Sequence, residues 1–313
     1  MKKLKQPLIC LVILSLAFDA QAAEPNQLTD AEKQAGWRLL FDGQTTKGWR
    51  GYKQAAMPAK GWKVEDGILK KVGGERGGDI ITEETFNDFD LSWQWRIGPG
   101  GNNGVKYLVT EERPSAPGPE YQMIDDKTNE DAARGGRHAT ASFYDVLPPT
   151  ADLPLKPAGE WNLSRIRIQG NHVEHWLNGK KALECELGSA EVKAAVAKSK
   201  FKNAEGFGTK INGHIMLTDH GDECWFRNIK IRDLSVVVRG AVRKPGKYSC
   251  SSGFTLTEAI GRAGGLNEFA HYKVQVLKAG GKRFVFDFRK VAKRTETDPA
   301  LEPGDVVMVP ERL

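Results

Sequence analysis

Between Gly36 and Leu234 the chain alternates apolar and polar residues in short runs, each closed by Gly, Pro, Asn or Asp. In residues 91–97, Leu91, Trp93, Trp95 and Ile97 fall on one side of an extended chain, and Ser92, Gln94 and Arg96 on the other. A period of two is that of a strand with one buried face. The same period predicts strands over 105–109, 121–124, 173–177 and 215–218. Asn178-Gly179 predicts a tight hairpin turn, because both residues tolerate positive φ. One helix interrupts the pattern, with Ser189 as N-cap and Val192, Val196 and Ala195 as a thin apolar stripe. Many short strands joined by turns, in a chain with eight Trp, predict a mostly β fold of two packed sheets.

Past Leu234 the texture changes. Residues 235–242 read as a strand, Lys244-Pro245-Gly246 as a turn, and Thr255-Leu256-Thr257-Glu258 as a capping box that opens a helix. Leu256, Ala259, Ile260 and Ala263 give that helix an inner face, and Gly264-Gly265 suits its C-cap. Strands follow over 274–277 and 283–288, and residues 301–310 form a Pro-Gly turn and a last strand. The pattern predicts two domains, 24–234 and a small α+β unit at 235–313, with almost no linker between them.

The first 22 residues carry an export signature. Lys2, Lys3 and Lys5 precede an apolar run from Leu8 to Ala17, and Ala20-Gln21-Ala22 offers small residues for cleavage. The run is about ten residues, too short to span roughly 30 Å of hydrocarbon. The expected mature protein is therefore exported, periplasmic or extracellular, and not transmembrane. The whole chain is +6, and Lys2, Lys3, Lys5 and Asp19 leave with the signal, so the mature protein is near +4. Its charges are interspersed, which excludes a nucleic-acid tract. Cys185, Cys224 and Cys250 survive processing; an oxidising compartment permits a Cys185–Cys224 disulfide, and buried free thiols are the alternative.

Residues 36–234 resemble the 3-keto-disaccharide hydrolase family, formerly a domain of unknown function. The resemblance is carried, in order, by Leu40-Phe41-Asp42-Gly43 with Gly48-Trp49, by residues 62–67 (WKVEDG), and by residues 100–105 (GGNNGV). Residues 117–122 (PGPEYQ) with Asp125-Asp126, residues 156–162 (KPAGEWN), residues 173–179 (VEHWLNG), and Asp219-His220-Gly221 leading into Phe226-Arg227-Asn228-Ile229 complete it. The resemblance implies a concanavalin A-like jelly-roll sandwich whose concave sheet holds sugar. It also implies action on glycosides oxidised at C3 of the ring. Residues 127–150 are longer and less regular than the family pattern, which leaves the substrate's second sugar open. Residues 235–313 resemble the soluble-ligand-binding β-grasp domain of polysaccharide export proteins. The carriers are Val238-Arg239-Gly240-Ala241-Val242, residues 245–248 (PGKY), residues 257–260 (TEAI), Ala263-Gly264-Gly265 and residues 304–310 (GDVVMVP). That resemblance implies an accessory domain for a ligand, a polymer or an envelope partner.

A carbonyl at C3 of a sugar acidifies the hydrogen on C2, so a base can remove it and the C1 substituent can leave by β-elimination, after which water adds back. Such a site needs a base, an acid for the leaving oxygen, and positive or hydrogen-bonding groups at the enolate oxygen. A divalent metal would also serve the last role, although no His-x-His or His-Glu-x-x-His pattern marks one and no cofactor is evident.

Strand parity puts Glu120 and Gln122 on one face, with Asp126 as a further candidate, after Pro117-Gly118-Pro119. We take Glu120, His175 and His220 as catalytic candidates, although the parity of His175 with Val173 and Leu177 is equally that of a core histidine. Arg96, Asn102, Gln122, Asp126, Trp176 and Asp219 are candidate sugar contacts, with Trp176 offering an indole face to a pyranose. Asn102 and Asn103 sit in what reads as a Gly-rich loop, where a backbone role explains them equally well. The function expected is an exported hydrolase or lyase of keto-glycosides that acts on oligosaccharide or polysaccharide. A noncatalytic lectin-like envelope protein is the alternative.

Overall fold

The computed structural model describes residues 24–113 and 116–312. The export signal read from residues 1–22, with Cys10, lies outside the described residues. Two antiparallel sheets stack over residues 37–233. The eight-stranded sheet runs, in hydrogen-bonded order, Lys180–Glu186, His172–Leu177, Asn162–Gln169, Phe89–Ile97, Cys224–Asp233, Ile68–Lys71 and Trp62–Glu65, with Trp37–Leu39 also paired to Cys224–Asp233. The five-stranded sheet runs Trp49–Gly51, Ile80–Thr82, His214–Leu217, Asn102–Val109 and Glu120–Ile124.

Alternation decides which side chains enter the space between the sheets. Leu91, Trp93 and Trp95 of one sheet meet Val105, Tyr107 and Tyr121 of the other in a single buried cluster. The cluster is also stitched by polar atoms. Trp95 Nε1 donates to Ser164 Oγ at 2.8 Å, Ser164 Oγ donates to the Tyr121 hydroxyl at 2.8 Å, and that hydroxyl donates to the Trp176 carbonyl at 3.1 Å. The Trp93 and Tyr121 rings meet edge to face at 5.0 Å. A buried indole N–H or phenol needs such a partner, because an unsatisfied polar group costs about 1–3 kcal/mol.

Residues 102 and 103 differ from the loop expected of them: they open the Asn102–Val109 strand. Pairing of Asn102 with Ile124 and Asn103 with Met123 holds the backbone extended despite the glycines on either side. The strand's alternation slips at its far end, where Leu108 takes φ +50° and Tyr107, Leu108 and Val109 are all buried. Helix Ala190–Ala197 is capped by Ser189 Oγ, which accepts from Val192 N, and buries Val192 and Val196.

All three described cysteines are buried free thiols. Cys185 and Cys224 lie four strands apart in the sheet. At roughly 4.8 Å per strand step, that separation is far beyond a disulfide.

The C-terminal unit builds its own five-stranded sheet, ordered Gly246–Ser249, Ser235–Gly240, Val306–Val309, Lys273–Leu277 and Arg283–Asp287, over a separate apolar core. Helix Leu256–Arg262 covers it. Only half of the expected capping box forms: Thr255 Oγ1 accepts from Glu258 N, but the Glu258 carboxylate turns to Arg262 at 2.6 Å. The i,i+4 ion pair competes for the same carboxylate. Leu234 joins the two units, donating its N–H to Asp88 O at 2.9 Å and accepting from Cys250 N at 3.1 Å.

Leu177 is fully buried in the sandwich core. Leu177→Ala is expected to cost about 2–5 kcal/mol through a cavity, read as a lower denaturant midpoint with an unchanged m-value. A loss under about 1 kcal/mol would mean that the strand does not pack as described.

Candidate active site

The outer face of the five-stranded sheet carries the chemistry. Lys106 pairs with Glu120, and Gly104 with Gln122, so these positions share that face. Gly104 makes the arrangement sterically feasible: a Cβ there would lie 2.1 Å from Glu120 Oε1. The Glu120 side chain therefore lies down over the glycine, only 6% exposed. Lys106 Nζ stands 3.7 Å from Oε2, and His220 Nε2 stands 4.0 Å from Oε1.

Burial pushes the Glu120 carboxyl up, but Lys106, His220 and Lys200 outweigh it and hold the group below its ordinary value. Glu120 is thus an ionised base in a largely dry place. Lys200 lies beside it with much of its side chain exposed, its ammonium 4.2 Å from the centre of the Tyr144 ring. Burial lowers the Lys200 ammonium's pKa, with Glu120 opposing and Lys106 adding to the fall. A cavity of about 380 Å³ opens next to Glu120, bounded by Lys106, Lys200, Phe201 and the Pro117-Gly118 turn. Glu120 is the only carboxylate among its described lining residues. Larger grooves of about 790 and 600 Å³ lie elsewhere.

The irregular segment after the Glu120–Ile124 strand buttresses this site. Ala141 N donates to Gln122 O and Tyr144 N donates to Glu120 O, which fixes the strand's free edge. Behind it His138 sits between Asp131 at 3.2 Å and Asp145 at 3.3 Å, and Asp145 accepts the Lys200 N–H at 2.7 Å.

Asp219 does not reach the cavity, although the sequence offered it as a sugar contact. Its side chain is 1% exposed and its oxygens are taken. Oδ2 accepts from Gly77 N and Gly78 N, both at 2.8 Å, and Oδ1 accepts from Gly221 N and pairs with the buried Lys71 ammonium at 3.1 Å. Burial opposes ionisation of Asp219, but these donors outweigh it and keep its pKa low. Asp219 therefore anchors the turn that presents its neighbour, His220.

Of the other candidates, Gln122 and Asn102 lie on the Glu120 face, with Gln122 Nε2 3.4 Å from Asn102 Oδ1. Gln122 Oε1 and Thr218 Oγ1 are buried without a partner among the described residues. His175 is a core residue. Its Nδ1 donates to Ala141 O at 3.0 Å, and its Nε2 accepts from the Tyr107 hydroxyl at 3.1 Å. Asp126 is an exposed residue past the strand's end, where it accepts from Thr140 N at 2.9 Å. Arg96 and Trp176 lie on the outer face of the opposite sheet, Arg96 over Trp225 and Trp161, and Trp176 under Arg165. The alternation that buries Trp95 and Leu177 sends them there. Lys106 and Lys200 were not foreseen. Lys106 had a signal, since it shares parity with Gly104 and Asn102; Lys200 had none. Among the described residues, one cluster has metal-ligating geometry, His172 with Glu174 and Glu184, on the eight-stranded sheet and away from Glu120.

Comparison with known proteins defines this β-sandwich as a carbohydrate hydrolase or lyase. The chain is a member of the 3-keto-alpha-glucoside-1,2-lyase-like family, whose domain matches residues 36–232, and residues 234–309 match the SLBB domain. It is 34% identical over 254 residues to the 3-keto-disaccharide hydrolase of Bacteroides thetaiotaomicron, covering 71% of this chain and 87% of that protein. A solved structure from Parabacteroides distasonis, described as a candidate glycosyl hydrolase, superposes with a TM-score of 0.61 at 35% identity, covering 67% of this chain and all of that one.

The buried imidazole gives a pH test. Burial pushes the pKa of His175 from 6.5 down to about 4, against the Ala141 hydrogen bond. The unfolded chain then binds a proton that the folded chain refuses, so stability is full above pH 6.5 and falls as pH drops towards about 4. The slope from this group is about 1.4 kcal/mol per pH unit. His175→Gln is expected to flatten that part of the stability–pH curve. An unchanged slope would show that His175 is not buried neutral.

Proposed function

We propose that this protein cleaves glycosides oxidised at C3 of the sugar ring, by proton abstraction at C2 and β-elimination at C1, followed by hydration. The observation that carries this is Glu120, ionised and lying over Gly104 between Lys106 and His220 beside the cavity. Glu120 removes the C2 proton, and the C2–H electrons move into the ring carbonyl as an enolate. Lys106 and Lys200 stabilise the negative charge that develops on the C3 oxygen. The enolate then expels the C1 oxygen, which takes a proton from His220. Water added across the resulting C1–C2 double bond gives the free 3-keto sugar. If water does not add, the unsaturated sugar is released and the enzyme acts as a lyase.

Ordinary glycoside hydrolysis needs two carboxylates flanking the bond, about 5–9.5 Å apart. The described cavity wall supplies one, which favours elimination. Orphaned Gln122 Oε1 and Thr218 Oγ1 stand on either side of Gly104 in the sheet. They are suited to hold sugar hydroxyls, directly or through water. We further propose that the enzyme is exported, on the strength of residues 1–22, and that its SLBB unit is an accessory binding domain.

Incubation with 3-keto-glucosides beside the unoxidised glycosides tests the chemistry. Turnover is expected only with the oxidised series. Glu120→Gln keeps the shape and a hydrogen bond, and should lower kcat by roughly 10² to 10⁴-fold with little change in Tm. Near-full turnover by that variant would remove Glu120 as the base.

Lys106→Met adds a second, independent test. Without the ammonium the Glu120 pKa must rise, so the acid limb of the kcat/KM profile, where activity is lost as Glu120 protonates, should move to higher pH. A limb that stays in place would mean that Glu120 does not set it.

A further inference from the structure

The outer face of the eight-stranded sheet, across the sandwich from Glu120, carries a row of cations stacked on indoles. Most have a carboxylate. Arg165 and Arg232 share Asp90, at 2.5 and 2.7 Å, Lys70 pairs with Glu223, and Lys230 pairs with Glu32.

Arg96 and Arg227 are the exceptions. Arg96 is stacked between Trp225, at 4.5 Å, and Trp161, at 5.2 Å, while Arg227 lies over Trp161 at 4.1 Å. Neither guanidinium has a carboxylate within 4.0 Å among the described residues. Arg227 Nε donates to Gln94 Oε1 at 2.7 Å, and Arg96 Nε is buried with no partner. Two adjacent like charges repel, and Arg96 adds to the burial that lowers the Arg227 pKa. The indole contacts restrict both guanidiniums. With Arg96 Nε buried and Arg227 Nε given to Gln94, the terminal Nη groups are what each guanidinium has to offer a carboxylate. The half-buried indoles of Trp161 and Trp225 flank those groups, and the chain belongs to a family that acts on carbohydrate.

We propose that the Arg96–Arg227 pair, held against Trp161 and Trp225, binds the carboxylates of an acidic, uronate-bearing polysaccharide on the face of the sandwich opposite Glu120. The site tethers the enzyme to polymer while the cleft works on the other side. It does not depend on the reaction proposed above, because its test measures no turnover.

The full chain is titrated with polygalacturonate, neutral dextran and polyglutamate at low salt, with tryptophan emission and retention on the immobilised polymers as readouts. Polygalacturonate alone is expected to perturb the emission and to retain the protein, and added salt should weaken both effects. Arg96→Gln with Arg227→Gln should weaken retention roughly ten- to a hundredfold, as expected for loss of charge-assisted hydrogen bonds. Lys193→Gln with Lys290→Gln removes the same charge from exposed positions elsewhere and should change retention little. Arg227→Lys, which keeps the charge but loses the guanidinium, should fall between wild type and the Arg227→Gln single variant. The emission titration uses the wild-type protein, so the test stands even if the double variant unfolds. No emission change or retention with polygalacturonate, equal weakening in the lysine control, or equally tight binding of polyglutamate would each overturn the proposal.

Discussion

The register between Asn102–Val109 and Glu120–Ile124 is the constraint on which the rest depends. It sets Gly104 beside Gln122 and Lys106 beside Glu120, so one row supplies the space and the next the charge. The same register turns Tyr121 inward, where its hydroxyl ties Ser164 to Trp176 across the core. A slip by one residue would exchange the faces. Glu120 would then enter an apolar interior and Tyr121 would enter the cleft. The core and the site therefore enforce one alignment between them. Residues 141–144 add a second lock by hydrogen bonding to the far edge of the Glu120 strand.

Charge burial supports the other half of the site. Lys71 is fully buried and Asp219 nearly so, an arrangement that costs desolvation unless each charge is well partnered. Partners are supplied by the backbone. Lys71 Nζ donates to the carbonyls of Val72 and Glu75, and Asp219 gathers the N–H groups of Gly77, Gly78 and Gly221. The network pins two glycine-rich turns to one another and leaves His220 44% exposed, its Nε2 4.0 Å from Glu120 Oε1. A rigid turn holding a half-exposed imidazole suits a group that must reach a leaving oxygen.

The two outer faces of the sandwich differ in how their cations are used. On the five-stranded sheet, Lys106, with Lys200 from the segment after helix Ala190–Ala197, acts on one buried carboxylate, and the result is a lowered pKa beside a cavity. On the eight-stranded sheet, indole rings spread the cations along the surface and carboxylates neutralise all but the Arg96–Arg227 pair among those described above. A single fold thus presents two outer faces of different chemistry, on sheets packed about 10 Å apart.

What the sequence determined by itself was set by period and by turn chemistry. Alternation over 91–97 buries Trp93 and Trp95, and parity puts Glu120 and Gln122 on one face, because each depends only on the geometry of an extended chain. The helix cap at Ser189 was equally local. Tertiary structure decided which outer face became the cleft. Parity says that Arg96 and Trp176 point away from the core, but not that their sheet is the one opposite Glu120. Nor does it reveal that Asp219 is consumed by Lys71 and by the backbone amides of Gly77 and Gly78, brought from elsewhere in the chain. Lys200 reaches Glu120 from 80 residues further along the sequence, and Gly104 matters because of an oxygen contributed by another strand. Such relations arise from loop closure and sheet stacking, which bring distant positions together without leaving a periodic trace in the residues themselves.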